Sequence, residues 1–363
     1  MIKKHISLLL ILTMIFTSML TAFAATDTAN AGNAIYVAPY GNDKNPGTKD
    51  RPLATLQGAV DAVRVSKNTD NPVTEVIFRG GNYYRTDNVE MTAADSGTSE
   101  KPIVYRAYEG ETPRILGSDI VDVTKAEKVT DSATIARMHE DAMGKLIQVD
   151  LAAQGFTKDD ICDTSKETYN ENSLYYDDNY NTIYIDGYEQ DLAQWPNGRG
   201  NFTTWAKSVN NYCIQYKEET PARWVNAKNW WVSAYPNYDY VCTTTTPTNI
   251  DPVAKTITLT SKSPLTFTNP YSKRWKAFNL LEELDVPGEF YIDRDQMMLY
   301  MYPPHTLKDS KVTLSVTKPR LLNITNAQNV VFEGLTFSET RHDAVRTCDV
   351  RNIDFINCTF NSN

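Results

Sequence analysis

Apolar and polar positions alternate in short runs along most of this chain, and two of those runs match. Asn329–Phe337 reads NVVFEGLTF and Asn352–Phe360 reads NIDFINCTF, an offset of 23 residues. At that offset Asn329/Asn352, Phe332/Phe355, Thr336/Thr359 and Phe337/Phe360 are identical, and Arg320–Gln328 aligns with Asp343–Arg351. A period in the low twenties with short β-rich runs predicts stacked β-coils. One coil cannot bury its apolar face alone, so coils stack on copies of themselves. A stack stopped at Asn363 would leave an open edge, so the chain is expected to be the front part of a longer protein.

The same periodicities place the other elements. Ile35–Val37 opens a strand, and Val73–Tyr84 and Lys101–Leu116 each read as strand, turn, strand, the first irregular coils. Thr55–Val65 has apolar residues at Leu56, Ala59, Val60 and Val63, a helical spacing, with Thr55 as N-cap. Such a helix would cover the first coil. From about Val121 the pattern changes. Thr182–Tyr188 closes in an Asp-Gly turn, Ala254–Thr260 alternates as a half-buried strand, and Glu289–Tyr302 reads as a hairpin across Asp293–Gln296. The organisation expected is a secretion signal at 1–24, a leader at 25–32, a cap with first coils at 33–120, an inserted β-rich domain at 121–318, and coil repeats at 319–363.

The signal rests on Lys3 and Lys4, the apolar run Ile6–Leu20 and the Ala22-Phe23-Ala24 cleavage pattern. The run is short for a membrane span, so the chain is expected to be exported, off the membrane once the signal is removed. The net charge of −9, nearer −11 without the two signal lysines, argues against nucleic acid as a partner. Five cysteines show no metal-ligand spacing. Cys358 stands where Leu335 stands one coil earlier, as a small core hydrophobe would, and Cys213–Cys242 is an open pairing. All six tryptophans lie between Trp195 and Trp275, so the middle is built differently from the ends.

The opening IYVAPYGNDKNPGTKDRPLATLQGAV, the segments RGGNYYR and MTAADSGTSEKPIVYRAYEGETPRILGS, and YIDGYEQDLAQWPN with LLEELDVPGEFYIDRDQMMLYMYPP resemble extracellular carbohydrate-active enzymes of the pectate-lyase-like superfamily. They are most similar to glycoside hydrolase family 141, with family 120 β-xylosidases similar in plan. The resemblance implies an all-β fold: a right-handed parallel β-helix with an N-terminal capping helix, interrupted by a mostly-β, sandwich-like insertion, the chain ending within the β-helix. It also implies Gram-positive-type export and catalytic carboxylates downstream of residue 363. The fold hosts several chemistries, so it does not fix the reaction.

Glu339–Arg346 (ETRHDAVR) is the leading candidate site, since it falls at a corner between coils. Arg341 and Arg346 suit a uronate carboxylate, and Glu339, His342 and Asp343 are the candidates for proton transfer or glycoside cleavage. The alternative is a solvated turn with an internal salt bridge. Trp195, Asn197 and Arg199 form a turn suited to a sugar, unless Trp195 instead packs the insertion against the coils. Trp230, Trp231, Tyr235, Tyr238 and Tyr240 read as core and cross-strand pairs before a sugar platform. Asn329 and Asn352 are expected to form an amide ladder to the next coil's backbone. No cofactor is expected. A calcium site at Gly41–Thr48, with Asn42, Asp43 and Asn45, is short of carboxylates.

The resemblance, with the signal, implies an exported glycoside hydrolase on plant cell-wall polysaccharide, xylan or pectin side chains, expected to be monomeric when full length. A polysaccharide lyase on the same fold and a non-catalytic carbohydrate-binding β-helix are the alternatives.

Overall fold

The computed structural model describes residues 34–163, 180–236, 242–260, 267, 273–318, 320–341 and 343–361. The signal, the leader, His342, Tyr238 and Tyr240 lie outside the described residues.

Three parallel faces make up the ends of the chain. The first holds Ala34–Val37, Glu75–Phe78, Ile103–Ala107, Gln328–Glu333 and Arg351–Ile356 in that order. The second holds Gly81–Tyr83, Pro113–Leu116, Thr336–Ser338 and Thr359–Asn361. The third holds Val89–Met91, Leu322–Thr325 and Val345–Cys348. Each coil donates one strand to each face, an arrangement compatible with a β-helix. The 23-residue offset is the coil: Phe332 faces Phe355, and Phe337 faces Phe360, in parallel register.

Identical residues at identical heights stack. The Phe332 ring lies between Tyr105 at 5.2 Å and Phe355 at 5.0 Å, both nearly parallel to it, and Phe337 stacks on Phe360 at 5.4 Å. Buried aromatic pairs of this kind add about 0.5–1.5 kcal/mol to the gain from burial itself. Asn329 and Asn352 both take left-handed backbone, φ 56° and 50°, a conformation that Asn tolerates better than most residues. Their ladder differs from the expectation in one respect. Asn329 Nδ2 donates to the Gly97 carbonyl, but Asn352 Nδ2 donates to the Asn329 side chain at 2.9 Å rather than to backbone. Cys358 packs against the coil core beside the Phe332 carbonyl. Cys213 and Cys242 are not joined to each other.

The capping helix runs Leu56–Ser66 and buries Leu56, Ala59, Val60 and Val63 against the first coils. Thr55 Oγ1 accepts from Gly58 N, the N-cap bond its sequence predicts. Arg64 near its other end makes a two-pronged contact with the fully buried Asp95, at 2.6 and 2.8 Å.

The chain leaves the second face at Leu116 and supplies the third strand of that same coil only at Leu322. Val104 faces Val331 across the gap as though nothing intervened. Two antiparallel strands, Ser118–Val121 and Val312–Ser315, root the insertion. Beyond them the insertion has an aliphatic core around Val149, Leu299 and Leu314. Its second core is aromatic, with Trp205, Trp224 and Trp275 wholly buried.

Candidate functional site at the root of the insertion

The corner between the second and third faces forms a column. In one coil it is the turn before Val89, in the next it is the whole insertion, and in the next it is the segment after Ser338. The candidate segment beginning at Glu339 therefore lies directly against the insertion's roots. Glu339 is 3 % exposed and holds left-handed backbone, φ 59°. Its carboxylate accepts from Ser118 Oγ at 2.5 Å and Thr313 Oγ1 at 2.8 Å, one from each root strand, and pairs with Arg114 at 3.3 Å. Three donors occupy the two oxygens, so the structure gives Glu339 an anchoring role. Thr317 Oγ1 donating to the Thr86 carbonyl and Arg85 N donating to the Ser118 carbonyl complete the joint.

The other corner residues divide. Thr340 and Arg341 are buried beside the anchor. Asp343 is exposed and receives Arg320 Nε at 3.3 Å, the kind of ion pair the solvated-turn reading describes. Arg346 sits on the third face, opposite Asn323, which in turn faces Glu90. Asn323 Nδ2 and Asn88 Nδ2 each donate to the Glu90 carboxylate at 2.8 Å. A carboxylate, an amide and a guanidinium thus follow one another along the third face, about 4.8 Å apart. Glu90 and Asn323 were not among the residues singled out from sequence. The 23-residue alignment pairs Asn323 with Arg346, a signal that was available, but no repeat marks Glu90.

Lys311, at the foot of a root strand, places its ammonium 4.6 Å over the Tyr84 ring. Partial burial of that end lowers its pKa, with the Glu339 charge opposing. The Tyr84 ring face thus holds the Lys311 amine at the corner column.

The Trp195 turn is split three ways. Trp195 is half-buried and packs edge-on to Trp224 at 5.7 Å and tilted to Trp275 at 5.5 Å, so its ring belongs to the insertion's aromatic core. Asn197 Nδ2 donates to Asp285 Oδ1 at 2.8 Å. Arg199 bridges Glu189, at 2.8 Å, and Asp191. Trp230 joins the same aromatic core, Trp231 packs against Phe278, and Tyr235 lies under the Arg274 guanidinium.

Two buried carboxyls that the sequence did not reveal lie behind this turn. Burial pushes Glu283 up to about 7, with Trp224 Nε1 and Arg223 donating to it and partly offsetting that rise. Burial, with the nearby Asp285 charge, pushes Glu289 up to about 9.

The Gly41–Thr48 loop has a structural use for its carboxylate. Asp43 Oδ1 accepts from Ala54 N and Thr55 N, and Oδ2 accepts from Thr55 Oγ1 at 2.7 Å, tying the loop to the start of the capping helix. Asn42 caps Lys44 N, and Asn45 donates to the Pro52 carbonyl. Among the described residues, no group of three or more His, Cys, Asp or Glu is arranged to hold a metal ion.

No protein-family model matches the chain. It is 33% identical over 157 residues to the uncharacterised protein YwoF of Bacillus subtilis, a match covering 42% of this chain and 28% of that one. It is 40% identical over 98 residues to pectate lyase PEL9 of Emericella nidulans, covering 27% of this chain and 22% of that one. The chain therefore spans less than a third of either curated relative. A solved structure titled glycoside hydrolase superposes with a TM-score of 0.62 at 19% identity, over 85% of this chain and 51% of its own. That likeness shows a shared fold.

Proposed function

We propose that the protein is an exported glycoside hydrolase acting on plant cell-wall polysaccharide, xylan or pectin side chains, built on a right-handed parallel β-helix. The observation that carries this reading is the likeness of the coil stack and insertion together to a glycoside hydrolase fold over 85% of the chain. The similarity to a pectate lyase over 98 residues supports the same substrate class. Within that reading, families 141 and 120 are similar in plan, the signal 1–24 is removed on export, and residues 121–318 form a domain walling a groove.

The substrate would lie along the corner column, with the exposed Arg346 and Asp343 beside it and Glu90 and Asn323 on its floor. Two carboxylates would perform the cleavage, one as acid and one as nucleophile or base. A separation of about 5 Å implies retention and about 6.5–9.5 Å implies inversion. Glu339 is already committed to three donors, so the reading assigns the reacting pair to coils outside these 363 residues.

One observation favours a second reading. Lys311 with a lowered pKa at the same corner suits a base that removes the proton beside a uronate carboxyl, as a polysaccharide lyase requires. The two readings part on their products. The full-length protein on xylan and on pectin should release reducing ends without ultraviolet-absorbing, unsaturated termini. Unsaturated termini would establish the lyase, and glycan binding without turnover would establish a binding protein.

A further inference from the structure

The sheet that carries the insertion's aromatic core has a second face, and that face walls a cavity of about 300 Å³. Alternation along the strands decides what lines it. Trp195, Val232, Trp275 and Ala277 enter the aromatic core. Their neighbours Gln194, Ser233, Lys276 and Phe278 therefore point the other way, into the cavity. The opposite wall is the segment Glu189–Leu192, held by Arg199. Every lining residue comes from the insertion, so the cavity is separate from the corner column.

Gln194 is the informative residue. It is 4% exposed, it reaches the cavity, and among the described residues its side-chain amide makes no hydrogen bond. An amide offers two donors and an acceptor, and on the cavity wall these are open to a ligand. A ligand with hydroxyls would supply what the protein does not. Beside it Ser233 and Thr244 share a hydroxyl–hydroxyl bond of 2.6 Å, leaving further lone pairs for the same ligand.

The other walls limit its chemistry. The charged lining groups are Glu189, Asp191, Arg199 and Lys276, two of each sign, and Arg199 already bridges the two acids. No net field selects an ion. Phe278 and the edge-to-face pair Phe202–Tyr235, 5.4 Å apart, supply ring surface, one face of Tyr235 being taken by Arg274. Ring surface, unpaired amide donors and balanced charge match a molecule with C–H faces and a rim of hydroxyls. The volume is at the small end of ligand pockets, about 300–1,000 Å³, which suits a short sugar and not a polymer.

We infer that this cavity binds a neutral pyranose sugar, a mono- or disaccharide, at a site distinct from the coil corner. The inference shares its ligand class with the proposed function but stands on the cavity's lining. The test is calorimetric titration of the full-length protein with xylobiose, cellobiose and galacturonate, alongside turnover on polysaccharide. A neutral disaccharide should bind, and Gln194→Leu, which keeps the bulk and removes the amide, should weaken binding about tenfold. If the melt shows that Gln194→Leu does not fold, Ser233→Ala replaces it, with about a threefold loss expected. Absence of neutral-sugar binding, preference for galacturonate, or affinity untouched by the folded variant would overturn the inference. Binding without turnover would leave it standing and remove the hydrolase reading; turnover without binding would do the reverse.

Discussion

The coil stack and the insertion bury their apolar surface in opposite ways. The stack repeats itself: Tyr105, Phe332 and Phe355 meet at one height, Phe337 and Phe360 at another, and each strand pairs with the same strand of the next coil. The insertion repeats nothing. Its core joins Trp205, Trp224 and Trp275 from different strands and turns, and its polar groups include carboxyls buried at Glu282, Glu283 and Glu289. A repeated structure tolerates a long excursion because every coil edge presents the same partner to the next. A non-repeating one must be specified contact by contact. The insertion could therefore be spliced into a corner without disturbing the register of Val104 with Val331.

The comparison can be broken first at Phe332. Phe332→Ala removes the middle ring of three and should cost about 3–5 kcal/mol. All six tryptophans of these 363 residues lie in the insertion, so in this chain tryptophan fluorescence follows that region while far-ultraviolet circular dichroism follows both. The variant should lose strand signal at a lower temperature than tryptophan signal. Simultaneous loss would show one cooperative unit.

Glu339 tests the joint. Glu339→Ala strands the buried Ser118 and Thr313 hydroxyls and unpairs Arg114. A loss of about 3 kcal/mol in chemical denaturation is expected. The joint, not a catalytic step, should suffer, so polysaccharide turnover per folded molecule should hold.

Gly58 tests the cap. A Cβ there would lie 2.3 Å from Asp43 Oδ1, breaking the bonds that tie the loop to Ala54 and Thr55. Gly58→Ala should cost about 1–2 kcal/mol, read by the melt of the coil stack.

The insertion's buried carboxyls add a pH dependence. Glu283 and Glu289 have folded pKa values near 7 and 9, above the ordinary 4.5. Between about 4.5 and those values the folded protein keeps protons that the unfolded chain releases. Stability contributed by these groups therefore falls as pH rises through that window. The tryptophan-reported melting temperature should be lower at pH 8 than at pH 5, and Glu289→Gln should flatten the difference.

The same contrast decides what could be read from sequence. The coil period was visible because stacked aromatic rows and the Asn329/Asn352 pair must recur at fixed spacing. The capping helix was visible because Thr55 and four apolar positions are local signals. Hairpins such as Glu289–Asp293 with Met298–Met301 were visible for the same reason. Glu339 was picked out for its charge, yet its use as an anchor depends on Ser118 and Thr313, both distant in sequence. Trp195 carried no mark of whether its ring met sugar or Trp224 and Trp275. Gln194 could not be found at all, since its interest lies in a cavity made by segments far apart in sequence.

The most direct test of substrate placement is amide hydrogen exchange on the full-length protein with and without a xylan oligosaccharide. The account predicts slower exchange at Val345–Cys348 and Leu322–Thr325, the third-face strands beside the insertion's root. Unchanged exchange on those strands in the presence of a bound oligosaccharide would contradict it.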